Sequence, residues 1–159
     1  MSFSLKVDRR KLDALCKRVP KFNGMEIEVG FFEEDKYGPE NGNHYVATVA
    51  AYNEFGTTLN PTRPFMQEMF GDAMNQLHMA WGLKKIAMSL LTNGQAVQRL
   101  TTQLGQLMVD MMQVSIDDYP GSNSARWATV KGFNDPLVHT GKMLDSVKFV
   151  VNKPDTARR

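Results

Sequence analysis

The chain has 159 residues, 42% hydrophobic and 23% charged, and a formal net charge of +2. By size it is one domain with enough apolar residues for a core. The weak charge excludes a strongly basic nucleic-acid binder, the lack of any run of about 18 apolar residues excludes a membrane-spanning helix, and a lone cysteine, Cys16, excludes an internal disulfide.

In chain order, residues 1–8 lack the apolar stretch of a secretory signal, so no export is expected. A short basic helix is predicted over 8–18, capped by Asp8, with Leu12, Leu15 and Val19 on one side. Pro20 and Gly24 stop it. Met25 to Phe32 alternates apolar and polar residues, the pattern of a half-buried strand. Glu33 to Asn43 contains Gly38-Pro39 and Gly42 and reads as a loop or hairpin arm. A second helix starts at Asn43 or His44 and stops at Gly56, since glycine accepts the positive φ that closes many helices. Thr57 to Thr62 is a short linker. Pro64 suits the first turn of the next helix, where its missing N–H has no intrahelical partner.

Phe65 to about Leu91 reads as a helix kinked at Gly71 or Gly82, with Phe65, Met69, Leu77, Trp81 and Ile86 among its apolar residues. After Thr92-Asn93-Gly94, Gln95 to about Ile116 is a further helix through Val97, Leu100, Leu104, Leu107, Met108, Met111 and Val114. Tyr119 to Asp135 is a long loop, Thr140 caps one short turn, Asp145 to Val151 is a strand, and 152–159 is a frayed tail. The fold class is α+β: a small antiparallel or mixed sheet against two long helices, in one domain spanning 1–159. Loops as long as 33–43 and 119–135 are usually functional or disordered. Both are expected to become ordered only against partners.

Charge is unevenly placed. Residues 1–21 carry seven cations against Asp8 and Asp13, a local +5, and residues 25–40 carry six carboxylates against Lys36, a local −5. The plain reading is two solvated faces. The sharper one is complementary surfaces on neighbouring copies, with Arg9, Arg10, Lys11, Glu33, Glu34 and Asp35 as interface candidates. The eleven methionines are core fillers by default and an adaptable subunit interface in the alternative.

No catalytic constellation is visible. His44, His78 and His139 form no HExxH or metal-spaced cluster, and the glycines form no P-loop or dinucleotide fingerprint. Cys16 has no evident histidine partner, and the Ser122/Ser124 loop lacks the setting of a nucleophile elbow. No cofactor and no metal are expected. Glu54 is either an exposed last-turn residue or an ion-pair partner of Arg63 that clamps one helix end to the next helix start. Phe55 and Phe65 are both expected to be buried beside that connection.

Three separated blocks carry a resemblance. Val29-Gly30 is followed, after a variable loop, by Tyr45, the alanine-rich Val46 to Ala51, and Asn53-Glu54-Phe55-Gly56-Thr57. Pro61-Thr62-Arg63-Pro64-Phe65 then opens a long helical region with Gly105 in its second half. Tyr119 to Asn123 and Thr129 to Gly132 lead to Pro136-Leu137, Thr140-Gly141, Met143 and Ser146-Val147. In this order the blocks resemble the neck, or tail-completion, family of tailed bacteriophages from about Val29 to Val151. Trp127, at a position where small or polar residues are common, and Met143, in place of a leucine, depart from the pattern. The residues carrying the motif are Glu54, Phe55, Gly56, Arg63, Pro64, Phe65, Pro136, Leu137, Thr140 and Gly141.

The resemblance implies a virion structural protein without catalysis, at the head–tail junction, assembled in the host cytoplasm. It implies a cyclic homo-oligomer, expected to be a hexamer, in which each subunit offers two different surfaces. Its partners would be a head-closure or connector protein, a tail terminator or tail tube protein, and viral DNA in the lumen without sequence specificity; no membrane is involved. A tail terminator capping the tube is the alternative of the same class. A nucleic-acid-binding module using Lys6 to Lys21 is a third reading, opposed by the lack of interleaved aromatics.

Overall fold

The computed structural model describes residues 8–121, 123, 129, 132, 137 and 140–152. Among these, six α-helices and a two-stranded antiparallel sheet form a small α+β fold. The helices are α1 (Arg10–Arg18), α2 (Val46–Phe55), α3 (Phe65–Gly71), α4 (Ala73–Thr92), α5 (Val97–Asp117) and α6 (Lys142–Asp145). The strands are β1 (Glu26–Gly30) and β2 (Lys148–Asn152), paired in the register Glu26 to Asn152 and Gly30 to Lys148.

Helix α5 is the spine. Its apolar stripe turns Leu104, Met108, Met112 and Ile116 inward, and it meets α3, α4, β1 and β2. One core gathers Val46, Ala50, Phe65, Met69, Met112, Ile116, Leu137 and Met143; a second gathers Ile86, Val97, Leu104 and Met108. Methionine is therefore core filler at positions 69, 108, 111, 112 and 143. Met74 and Met88 instead stay exposed. The sheet lies on α5 at Gly105. A Cβ there would overlap the Phe149 ring, so glycine is what lets β2 sit this close.

Several boundaries differ from expectation. The predicted single helix from Phe65 is two, because Asp72 takes extended backbone at ψ 129°. Its carboxylate then caps α4 by accepting the Asn75 N–H. The helix runs unbroken through Gly82, with Leu104 packed where a Cβ would be. The expected strand from Asp145 begins later, because Lys142–Asp145 closes a helical turn; Thr140 Oγ1 accepts the Lys142 N–H at its start. The expected tail yields Asn152 to β2, and 153–159 lies outside the described residues. Asn43 and His44 precede α2 rather than open it.

The 33–43 segment is tied down within the chain. Tyr37 donates its N–H to His44 O, Val46 donates to Asp35 O, and Lys36 bridges Tyr45 in antiparallel fashion. It is the hairpin arm, not a loose loop. Most of 122–136 lies outside the described residues.

Candidate functional site

The connection between α2 and α3 is built by side chains the motif singles out. Val46, Ala50 and Glu54 recur at four-residue spacing and all turn inward. Glu54 is only 2% exposed. Its Oε2 accepts the Met66 N–H at 2.9 Å and its Oε1 the Gln67 N–H at 3.0 Å. These are two of the N–H groups that a helix start leaves without partners. The residue before α3 is Pro64, which offers no side-chain acceptor, so a carboxylate from the previous helix supplies the cap and a favourable charge at the dipole's positive end.

Both simple readings of Glu54 are thereby corrected. It is not an exposed last-turn residue, and it makes no ion pair with Arg63. Arg63 donates its N–H to Asn53 O at 2.7 Å and its Nη1 to Asn53 Oδ1 at 3.0 Å. The same latch holds the helices together, with a neutral acceptor in place of a carboxylate. Gly56 closes it: φ is +73°, and a Cβ would lie 2.7 Å from Thr62 Oγ1. Phe65 is fully buried, edge-on to Phe31 at 6.2 Å between ring centres, and Ser115 Oγ donates to its carbonyl. Phe55, expected to be buried, is 72% exposed. It follows Glu54 by one residue, about 100° around the helix from the inward row.

In the third block, Leu137 and Met143 are buried and Gly141 takes φ +73° at the start of α6. Pro136 and His139 lie outside the described residues. The structure thus places Glu54, Gly56, Arg63, Pro64 and Phe65 in one latch, and Leu137 with Phe65 in one core.

The charged segments are partly spent inside the chain. Arg10 pairs with Asp8 at 2.8 Å, which holds the Asp8 carboxyl below its ordinary value. Lys148 pairs with Asp35 at 2.6 Å, and that hydrogen bond raises the lysine pKa. No ion pair joins 8–21 to 25–40 among the described residues. Arg9, Lys11, Glu33 and Glu34 remain exposed. Arg18 donates to Leu90 O at 2.6 Å and Thr92 O at 2.9 Å, so it caps the C-terminus of α4 and fixes α1 there.

Two surfaces went unread in the sequence. The first is the outer face of α4. Asn75, Met79, Gly82, Ile86 and Ser89 face inward at helical spacing, while Met74, Leu77, Trp81, Met88 and Leu91 are exposed on the other side. Ala73, Ala80 and Ala87 are exposed beside them. A helix apolar on both faces is normally covered on both. Among the described residues nothing covers this one, and Trp81, Lys84, Lys85, Met88 and Leu100 line a groove of about 460 Å³ on it.

The second is a groove of about 410 Å³ between the start of α4 and the end of α5. Met69, Leu107, Met111 and Val114 supply its apolar lining, and Glu68, Asp72, Asp110 and Asp118 its carboxylates. Tyr119 at its edge has a raised pKa, first from burial and then from Glu68, with Arg63 opposing and Glu54 adding a little. His78 is exposed in the same groove, His44 is exposed elsewhere, and Cys16 is exposed on α1. Among the described residues no group of three or more His, Cys, Asp and Glu is placed to hold a metal, and no helix is long and apolar enough to cross a membrane.

Comparison with protein-family models, with curated proteins and with solved structures gave no match.

Proposed function

We propose that this chain is a structural subunit of a tailed-phage virion, a ring component at the head–tail junction that completes the neck or tail. The observation that carries the assembly class is the uncovered outer face of α4. The exposed apolar residues of this face, interrupted by Lys84 and Lys85, run along a helix of 20 residues, roughly 30 Å at 1.5 Å per residue. Exposed apolar patches larger than a few hundred Å² mark interaction sites. The kind of assembly comes from the three sequence blocks. Their described residues serve as a helix cap, a latch and a core, which fits a motif that maintains an architecture rather than one that performs chemistry.

In this reading the chain is not an enzyme and needs no cofactor. Its partners are its own copies, a connector on the head side, and a terminator or tube protein on the tail side. DNA in the lumen would contribute only a sequence-independent, salt-sensitive attraction.

The test is a phage with a stop codon in this gene. Filled heads and tails of normal length that fail to join would support the reading. Tails of uncontrolled length would favour the terminator alternative, and normal infectious particles would refute both.

A further inference from the structure

We infer that helix α1 of one copy docks in the carboxylate-rimmed groove of a second copy. This rests on the assembly reading and names the surfaces that one contact uses. The donor is α1. None of its nine residues is buried, and Leu12 is 50% exposed. At about 100° per residue, Arg9 and Lys11 lie on opposite sides of Leu12. Half-buried Leu15 and Arg18 hold the helix on the end of α4. Its free side offers Leu12 with Arg9 beside it, and Lys11, also exposed, borders the row of Leu15 and Arg18 that rests on α4.

The acceptor has the opposite character. The groove carries Glu68, Asp72, Asp110 and Asp118 around apolar walls, and among the described residues no lysine or arginine lines it. None of these carboxylates is in an ion pair among the described residues. Asp72 and Asp110 accept hydrogen bonds only from neutral groups, the Asn75 N–H and Gln106 Nε2. At about 410 Å³ the space takes an apolar side chain such as Leu12, leaving the flanking cations on the rim. This is the way an amphipathic helix is read by a groove, with charge setting register and encounter rate.

The occupant is another copy because α1 cannot reach its own groove. Arg18 fastens it at Leu90 and Thr92, whereas the groove opens at Asn75 and His78. Along α4 these sites are roughly 20 Å apart. A donor at one end and an acceptor at the other make a heterologous contact, which closes into a ring when the rotation permits. The acidic 25–40 stretch is the poorer acceptor, since Lys148 already pairs with Asp35 there. The outer face of α4 is poorer too, because Lys84 and Lys85 stand on it.

The test uses the purified full chain in a sedimentation dilution series at low salt. One variant carries Arg9→Glu with Lys11→Glu, the other Asp110→Lys with Asp118→Lys. All four positions are exposed, so unchanged melting curves certify the fold. Each variant alone should associate roughly tenfold more weakly. An equimolar mixture should regain association, because the reversed charges then meet. A loss in the α1 variant with none in the groove variant overturns the inference. So does a mixture that regains nothing, or a wild-type chain that is monomeric at every concentration. The head–tail reading falls on a separate result, particles that join normally without this chain.

Discussion

Glu54 caps the helix that Gln67 belongs to: the carboxylate leaves α2 and accepts the Gln67 N–H at 3.0 Å, with Met66 on its other oxygen. The two residues are 13 apart in sequence, so the cap also fixes the angle between two helices. Glu54→Ala removes both acceptors from a buried site. An orphaned buried donor costs about 1–3 kcal/mol, and loss of an ordinary cap about 1 kcal/mol. We expect a destabilisation of about 2–4 kcal/mol by urea unfolding. Glu54→Gln should recover only part, since its NH₂ must face a backbone N–H.

The latch makes a further distinction. Arg63 acts on Asn53, so a double-mutant cycle of Asn53→Ala with Arg63→Ala should show a coupling of about 0.5 kcal/mol or more. Coupling between Glu54 and Arg63 should be smaller. A Glu54–Arg63 coupling that exceeded the Asn53–Arg63 one would restore the ion-pair reading that the geometry corrects.

Phe65 and Phe55 flank the same connection and should respond differently. Phe65→Ala empties a fully buried aromatic site and should cost about 3–5 kcal/mol. Phe55→Ala, at an exposed position, should change stability by no more than about 0.5 kcal/mol in the free subunit. Equal shifts in the two denaturation midpoints would contradict the burial described above.

How far these features were legible depended on their range. Gly56 and Pro64 mark the helix ends through local backbone chemistry, and alternation over Glu26–Gly30 marks a strand. The partner of Glu54 is not local, and no spacing rule connects a last-turn carboxylate to the N–H groups of the next helix. Phe55 failed because a hydrophobic residue at a helix end belongs to a face only once the direction of the core is known. The same limit hid the outer surface of α4: Leu77 and Trp81 counted as apolar helix residues beside Ile86, although they point the other way. Periodicity identifies a buried side by contrast, and a helix apolar on both sides gives little contrast. The acidic groove draws Glu68 and Asp72 together with Asp110 and Asp118 from distant segments, so nothing in the linear order announced it.

Alkaline pH should weaken the fold through Tyr37. Burial raises its phenol pKa above the ordinary value. As pH passes about 10, the unfolded chain loses this proton while the folded chain keeps it. The stabilisation is therefore fully present below the unfolded pKa and is lost as pH climbs through the folded one. Tyr37→Phe should flatten this part of the stability curve above about pH 10. A variant whose curve paralleled the wild type across that window would show that Tyr37 titrates normally in the fold.

Trp81 reports on the outer face of α4 directly, because the residue is 62% exposed in the single chain. If that face is covered in the assembled state, its fluorescence should shift to the blue as protein concentration rises, measured with the other tryptophan replaced by Trp127→Phe. The interfacial change Ala80→Glu puts a charge on the same strip at an exposed position. It should abolish the shift while moving unfolding free energy by no more than about 0.5 kcal/mol. An unpaired carboxylate is costly to desolvate in an interface but stays hydrated on the free subunit. Assembly that proceeds unchanged in Ala80→Glu, with the Trp81 emission still that of an exposed indole, would mean that α4 keeps its outer face in solvent and that the copies meet elsewhere.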